Sequence, residues 1–206
     1  MYTMGAGNPL ILDTNGEQVN DTYFIDLSKF FNVELENLED YDYNEFINYL
    51  EDWLIELDIS FTKSDKIINN ISAGFREAGI VLFELDNHYI CTTTDSEYHN
   101  LSFGIVPKLD KEELEEEIRE ILKNNLEDID IDDIDTFNID CLLSDYYNHR
   151  VEEGNIILYQ LFNLLLQHLD NDKDKFNKVV HIRGGAWISS PINDELYNKI
   201  SNNEYN

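Results

Sequence analysis

Between Phe30 and Thr62 the chain carries ten carboxylates and neither lysine nor arginine, yet it also holds Tyr43, Phe46, Tyr49, Leu50, Trp53, Leu54 and Leu57. A disordered acidic tail lacks such aromatics, because it has no core to fill. This stretch must therefore fold while displaying negative charge. Apolar positions at 43, 46, 47, 50, 53, 54 and 57 repeat as one face of an α-helix does. Asp42 stands where an N-cap belongs, and Glu45 three residues on completes a capping-box pattern. The helical wheel places Glu45, Asp52 and Glu56 on the side away from Trp53. At about 1.5 Å of rise per residue, Asp52 and Glu56 stand roughly 6 Å apart along the axis, with Glu45 about 10 Å below Asp52. DNA presents one phosphate per roughly 3.4 Å on each strand, so the row is sparser than DNA but comparable. A solvated helix face is the plain alternative.

Charge is what makes that alternative insufficient. The 206 residues include 43 acids and 14 bases, a formal net charge of −29. A small soluble domain needs a magnitude of only about 2–8 for solubility, and the excess costs stability through self-repulsion. Halophilic adaptation also yields acidic chains, but the wealth of Asn, Ile and Tyr here points to an AT-rich coding genome instead. With 42% hydrophobic and 12% aromatic residues, the chain is long and apolar enough for one core over 1–206, with a weak seam near 124–137. Cys91 and Cys141, fifty residues apart and without a CxxC, suit a reducing compartment. The opening MYTMGAGNPLIL lacks a basic n-region, and Ile156–Leu166 is too short to span a bilayer, so a soluble, cytoplasmic chain is expected.

The pattern of elements predicts an α+β fold: an antiparallel meander packed with helices, a mainly helical C-terminal half, and a long buried helix near 152–169. Pro9–Leu12 and Val19–Ile25 flank Asn15-Gly16, a hairpin signal. Ser64 reads as the cap of a helix through Phe75, with Ile67, Ile68, Ile71 and Phe75 inward and Gly79 as its stop. Ile80–Leu85, His88–Thr93 and Leu101–Val106 read as meander strands around an Asp86-Asn87 turn. Asp110 caps a further helix whose Glu112, Glu116 and Glu120 form a row four residues apart. A second base-free stretch, 124–149, holds eight acids, among them Asp128, Asp130 and Asp132 in a strand-like or extended alternation. Ile139–Tyr147 reads as a short helix, Glu152–Leu169 as the core helix, Val179–Ile182 and Ala186–Ile188 as strands about Gly184-Gly185, and Asn193–Ile200 as a closing helix.

Familiar chemistry is sparse. None of the five histidines (88, 99, 149, 168, 181) pairs at i,i+3 or i,i+4, and no HExxH or paired-cysteine zinc spacing occurs. His168, near the end of the core helix, reads as a partner of the helix dipole. Asp170, Asp172 and Asp174 have the 1, 3, 5 spacing of an EF-hand, but Lys175 replaces the glycine at position 6 and His181 the glutamate at position 12. There is no GxSxG and no Walker motif. No metal and no cofactor is expected. Thr94, Asp95 and His99 within 92–99, and Arg183 within 181–187, are the residue types an enzyme would use; a hairpin loop and a tight turn explain them more simply. Direct binding of DNA or RNA is opposed by the charge, because phosphate contacts require basic residues.

In composition the chain resembles the small, strongly acidic proteins of viruses and mobile elements that imitate nucleic acid. That resemblance implies an inhibitor of anti-defence type (anti-CRISPR or anti-restriction) rather than an enzyme, with a basic nucleic-acid-binding nuclease or defence effector as its partner. The residues expected to meet that partner are Glu45, Asp52, Glu56, Glu112, Glu116, Glu120, Asp128, Asp130 and Asp132. An immunity protein that neutralises a basic toxin nuclease is the second reading, and a small enzyme the third.

Overall fold

The computed structural model describes residues 23–72, 75–95, 100–108, 116, 119–120, 136–183 and 189–205. Among the described residues eight antiparallel strands form one sheet: β1 (Tyr23–Asp26), β2 (Thr62–Lys63), β3 (Ile67–Ser72), β4 (Phe75–Glu84), β5 (His88–Asp95), β6 (Asn100–Pro107), β7 (Val180–Arg183) and β8 (Ser189–Pro191). Their spatial order is β2-β4-β5-β6-β1-β7-β8, with β3 paired to β4 beyond β2. The expected α+β class holds, and so do the meander β4-β5-β6 and the helical C-terminal half. The α-helices whose full extent lies among the described residues are α1 (Leu27–Phe31), α2 (Asp40–Glu56), α3 (Thr136–His168), α4 (Lys173–Val179) and α5 (Asp194–Ser201).

The meander forms because 80–92 is rich in β-branched and aromatic residues, the Asp86-Asn87 bend reverses the chain, and both faces of its strands bury side chains, one of them against the helices. Tyr23, Ile25, Phe83, Ile90, Leu101 and Ile105 join the helical residues in one large core. A register shift between Val81 and Phe83 lets Leu82 and Phe83 both enter it. Val81, Tyr89, Cys91 and Val106 make a second, smaller cluster. In it Tyr89 has Lys66 and Lys108 each 4.9 Å from its ring centre. Burial pushes the Cys91 thiol up to about 12, so it packs as an inert small hydrophobe.

Several sequence expectations are corrected. Residues 67–72 are strand β3, not a helix capped by Ser64, and they pair from Ile67–Ile80 to Ser72–Phe75. Gly79 is no helix stop, because it pairs with Ile68 inside this hairpin. Ser64 turns its hydroxyl to Glu84 Oε1 (3.0 Å) and accepts from the Lys66 N–H (3.2 Å). The physical reason is the three β-branched isoleucines, whose χ1 stiffness favours a pleated pairing that the helical spacing concealed. The short helix at 139–147 and the core helix at 152–169 are a single element, α3, of 33 residues and so about 50 Å long.

No proline interrupts α3, and its one glycine is there for space. A Cβ on Gly154 would stand 3.1 Å from His88 Cδ2 and 3.3 Å from Ile105 Cγ2. From Val151 onward α3 buries Leu158, Leu161, Phe162, Leu165 and Leu166, as expected of the core helix. Helix α4, unforeseen, begins at its cap Asp172, whose carboxylate accepts from the N–H groups of Asp174 (2.9 Å) and Lys175 (3.1 Å). The expected hairpin at Asn15-Gly16, the turn at Gly184-Gly185 and the strand Ala186–Ile188 lie outside the described residues.

Candidate functional site: the outer face of helix α2

Helix α2 starts three residues earlier than the sequence pattern suggested. Glu39 is its N-cap, and Asp42, at the third helical position, returns its carboxylate to the Glu39 N–H at 2.8 Å. At the other end Asp58 adopts the left-handed conformation (φ 54°). Its N–H reaches Ile55 O and the Ile59 N–H reaches Leu54 O, both at 3.0 Å. That is a Schellman closure with aspartate where glycine is usual.

The inner face is anchored by Phe46, Leu50, Trp53 and Leu54, all buried. Phe30 of α1 meets Phe46 edge-on at 5.1 Å and stacks on His168 at 5.0 Å. His168 in turn contacts Tyr49 and Trp53 at 4.8 and 6.2 Å. Aromatic contacts of this kind contribute about 0.5–1.5 kcal/mol each beyond area burial. His168 thus closes an aromatic cluster at the end of α3 as well as occupying its last turn. The result is a helix held firmly from beneath.

At about 100° per residue, the buried residues centre the inner face between Phe46, Leu50 and Leu54. The line opposite runs through Tyr41, Asn48 and Ile55. Asp52, Glu45 and Glu56 flank this line on one side, so they sit beside the outward centre and are not diametrically opposed to Trp53. Asp52 and Glu56 are exposed, while Glu45 is half-buried. Tyr41 and Ile55 are 69% and 62% exposed, the two most open large hydrophobics among the described residues. Glu51 pairs with Lys63 at 2.6 Å. Among the described residues, Glu45, Asp52 and Glu56 have no basic side chain within ion-pair distance. The last turn of α2 contains no base, although Glu56 and Asp58 stand at the negative end of its dipole.

Of the other residues expected at the interface, Glu116 and Glu120 have helical backbone and exposed side chains. Glu112, Asp128, Asp130 and Asp132 lie outside the described residues. Asp170, Asp172 and Asp174 do not converge: Asp170 pairs with Lys175 at 2.7 Å and Asp172 caps α4. Among the described residues no group of three or more His, Cys, Asp or Glu is arranged to hold a metal. No helix of the described residues is long and apolar enough to cross a membrane.

Several of the described bases lie against tyrosines. Lys66 and Lys108 flank Tyr89, Lys173 lies 4.8 Å over Tyr197, and Arg150 lies 5.2 Å over Tyr146. Arg150 also bonds Glu153 at 2.8 Å. A cleft of about 400 Å³ opens at the foot of α2, among Asp58, Asp86, His88 and Glu153. There His88 is buried, its Nε2 sits 2.7 Å from Arg150 O, and burial holds its imidazole below its ordinary pKa. Thr94 and Asp95 lie in β5 opposite Leu101 and Asn100, away from this cleft. His99 lies outside the described residues.

Comparison with protein-family models, with curated proteins and with solved structures returned no match for this chain.

Proposed function

We propose that this protein is an inhibitor that occupies the basic nucleic-acid-binding surface of a nuclease or defence effector, with carboxylates standing in for phosphates. The observation that carries the reading is the outer face of α2. Its exposed Asp52 and Glu56, one helical turn apart, are left without a basic neighbour among the described residues, while lysines elsewhere are spent on tyrosines and ion pairs. Like charges at i,i+4 destabilise a helix by about 0.2–0.5 kcal/mol, and anions at its C-terminus oppose the dipole. A net charge of −29 multiplies that cost. Binding to a Lys/Arg channel repays it through complementary potential, which speeds association and excludes the channel's own ligand.

The test is capture of partners on the immobilised chain at low salt, followed by competition with DNA or RNA for each captured protein. Mutual exclusion is expected, and Asp52→Lys with Glu56→Lys should lower the association rate by about tenfold. Simultaneous binding of nucleic acid and this protein would show that mimicry is wrong.

A further inference from the structure

The centre of the exposed face of α2 is not acidic. Tyr41, Asn48 and Ile55 follow one another at intervals of seven, so they fall in one line about 21 Å long. The acids run alongside: Asp52 and Glu56 on one flank, Glu51 on the other. A surface selected only to resemble phosphate has no use for a tyrosine and an isoleucine standing 69% and 62% open to water. Two large apolar groups on one line of a helix face, with Asn48 between them and carboxylates alongside, give that face an anchor at each end for a partner surface.

Charge selects the occupant. A second copy of this chain would bring the same carboxylates against themselves, each copy at −29, and a neutral apolar groove would desolvate Asp52 and Glu56 without compensation. We infer that α2 docks, through the line Tyr41–Ile55, into an apolar seam bordered by lysine or arginine on a basic protein. This rests on the inhibitor reading and deepens it: the partner's surface has to offer apolar contact between its phosphate-binding side chains. Tyr41, at the N-terminal end of the line, supplies the aromatic face that a stacked base presents to such a site.

The probes are two synthetic helical peptides of about 20 residues, long enough to cover the stripe. One is built of arginine with leucine at heptad spacing, and the other has serine in place of leucine. Binding to the full chain is read by fluorescence anisotropy. Both peptides are expected to bind at about 0.1 M salt. At about 1 M salt, where screening confines charge effects to roughly 3 Å, the serine peptide should dissociate and the leucine peptide remain. The variant Tyr41→Ser/Ile55→Ser removes only exposed groups. It should bind the leucine peptide about tenfold more weakly at high salt and follow the serine peptide's salt profile.

If both peptides leave together as salt rises, or if the double variant holds the leucine peptide as tightly as the unmodified chain, the docking line is overturned. Neither outcome involves nucleic acid. Failure of the competition experiment would leave this surface standing as a contact for a basic protein that keeps its nucleic acid. Failure of the peptide experiment would leave a purely electrostatic mimic.

Discussion

The outer face of α2 and the corner where α4 approaches α5 are both rich in carboxylates, and they treat them in opposite ways. At the corner, Asp172 caps α4 and Asn193 caps α5. Lys175 and Lys173 hold Asp170 and Asp194 at 2.7 Å, and each lysine keeps its partner below the usual carboxylate pKa. Lys199 stands in the last turn of α5 and Lys178 in that of α4. The two caps, Asp194 in the first turn of α5 and the last-turn lysines favour their helices, while Lys173 and Lys175 in the first turn of α4 are compensated by their ion pairs. On α2 the Glu39 cap and the first-turn Asp40 and Asp42 also favour the helix, but Glu51, Asp52, Glu56 and Asp58 gather toward its C-terminal end. Lysines thus balance the acids of the corner, whereas on α2 Glu51 is paired and Asp52 and Glu56 have no basic neighbour among the described residues, a contrast that supports the proposed docking face.

Substitutions can break that comparison. The largest effect is expected beneath the face: Phe46→Ala should cost about 3–5 kcal/mol, as large-to-small core changes do. Tyr41→Ala on the opposite side should stay within about 0.5 kcal/mol. Urea denaturation of both variants checks this, and equal losses would show that the helix has no free side. Next, Asp172→Ala should destabilise by about 1 kcal/mol through loss of the α4 cap. Asp58→Gly should stabilise by about 0.5–1 kcal/mol, because it relieves a left-handed aspartate and removes an anion from a helix C-terminus. The same sign for both would erase the contrast between the two regions.

Acidity separates the regions differently. Burial lowers the His88 pKa from its ordinary 6.5, so the unfolded chain binds a proton that the folded one resists. The stability contributed is complete above pH 6.5 and is lost as pH falls through the lowered value. Urea midpoints measured between pH 8 and pH 5 should decline, and His88→Gln should flatten the slope. An unchanged slope in that variant would assign the decline elsewhere. Smallest is the salt effect: raising ionic strength should lift the thermal midpoint by a few degrees by screening self-repulsion. Asp52→Lys with Glu56→Lys should reduce that gain.

Much of this architecture was legible in the chain. Strands β5 and β6 and the second half of β4 follow from the strand–turn–strand pattern around Asp86-Asn87, and α5 from the Asn193 cap ahead of Leu196 and Ile200. Helix α2 was legible from its apolar face but not from its start, because Asp42 carries the features of a cap as well as those of a third-position carboxylate. Tyr41 was thereby left outside the helix, and the line to Ile55 stayed hidden. Strand β3 was misread because isoleucines at 67, 68 and 71 satisfy helical spacing, and only pairing with β4 decides between the two periods. Helix α4 escaped because seven residues with two buried side chains, Phe176 and Val179, leave too little pattern.

The position of β1 has a consequence for how the chain is made. Tyr23 pairs with Phe103 on one side and with Ile182 on the other, partners about 80 and about 160 residues away. The sheet cannot be completed until β7 has been synthesised. At roughly 5–20 residues per second that is a wait of about 8–30 s after β1 emerges. Contacts this distant in sequence fold slowly and expose strand edges meanwhile. Repulsion between such strongly acidic chains opposes their association meanwhile, so the charge that weakens the finished fold also guards its assembly.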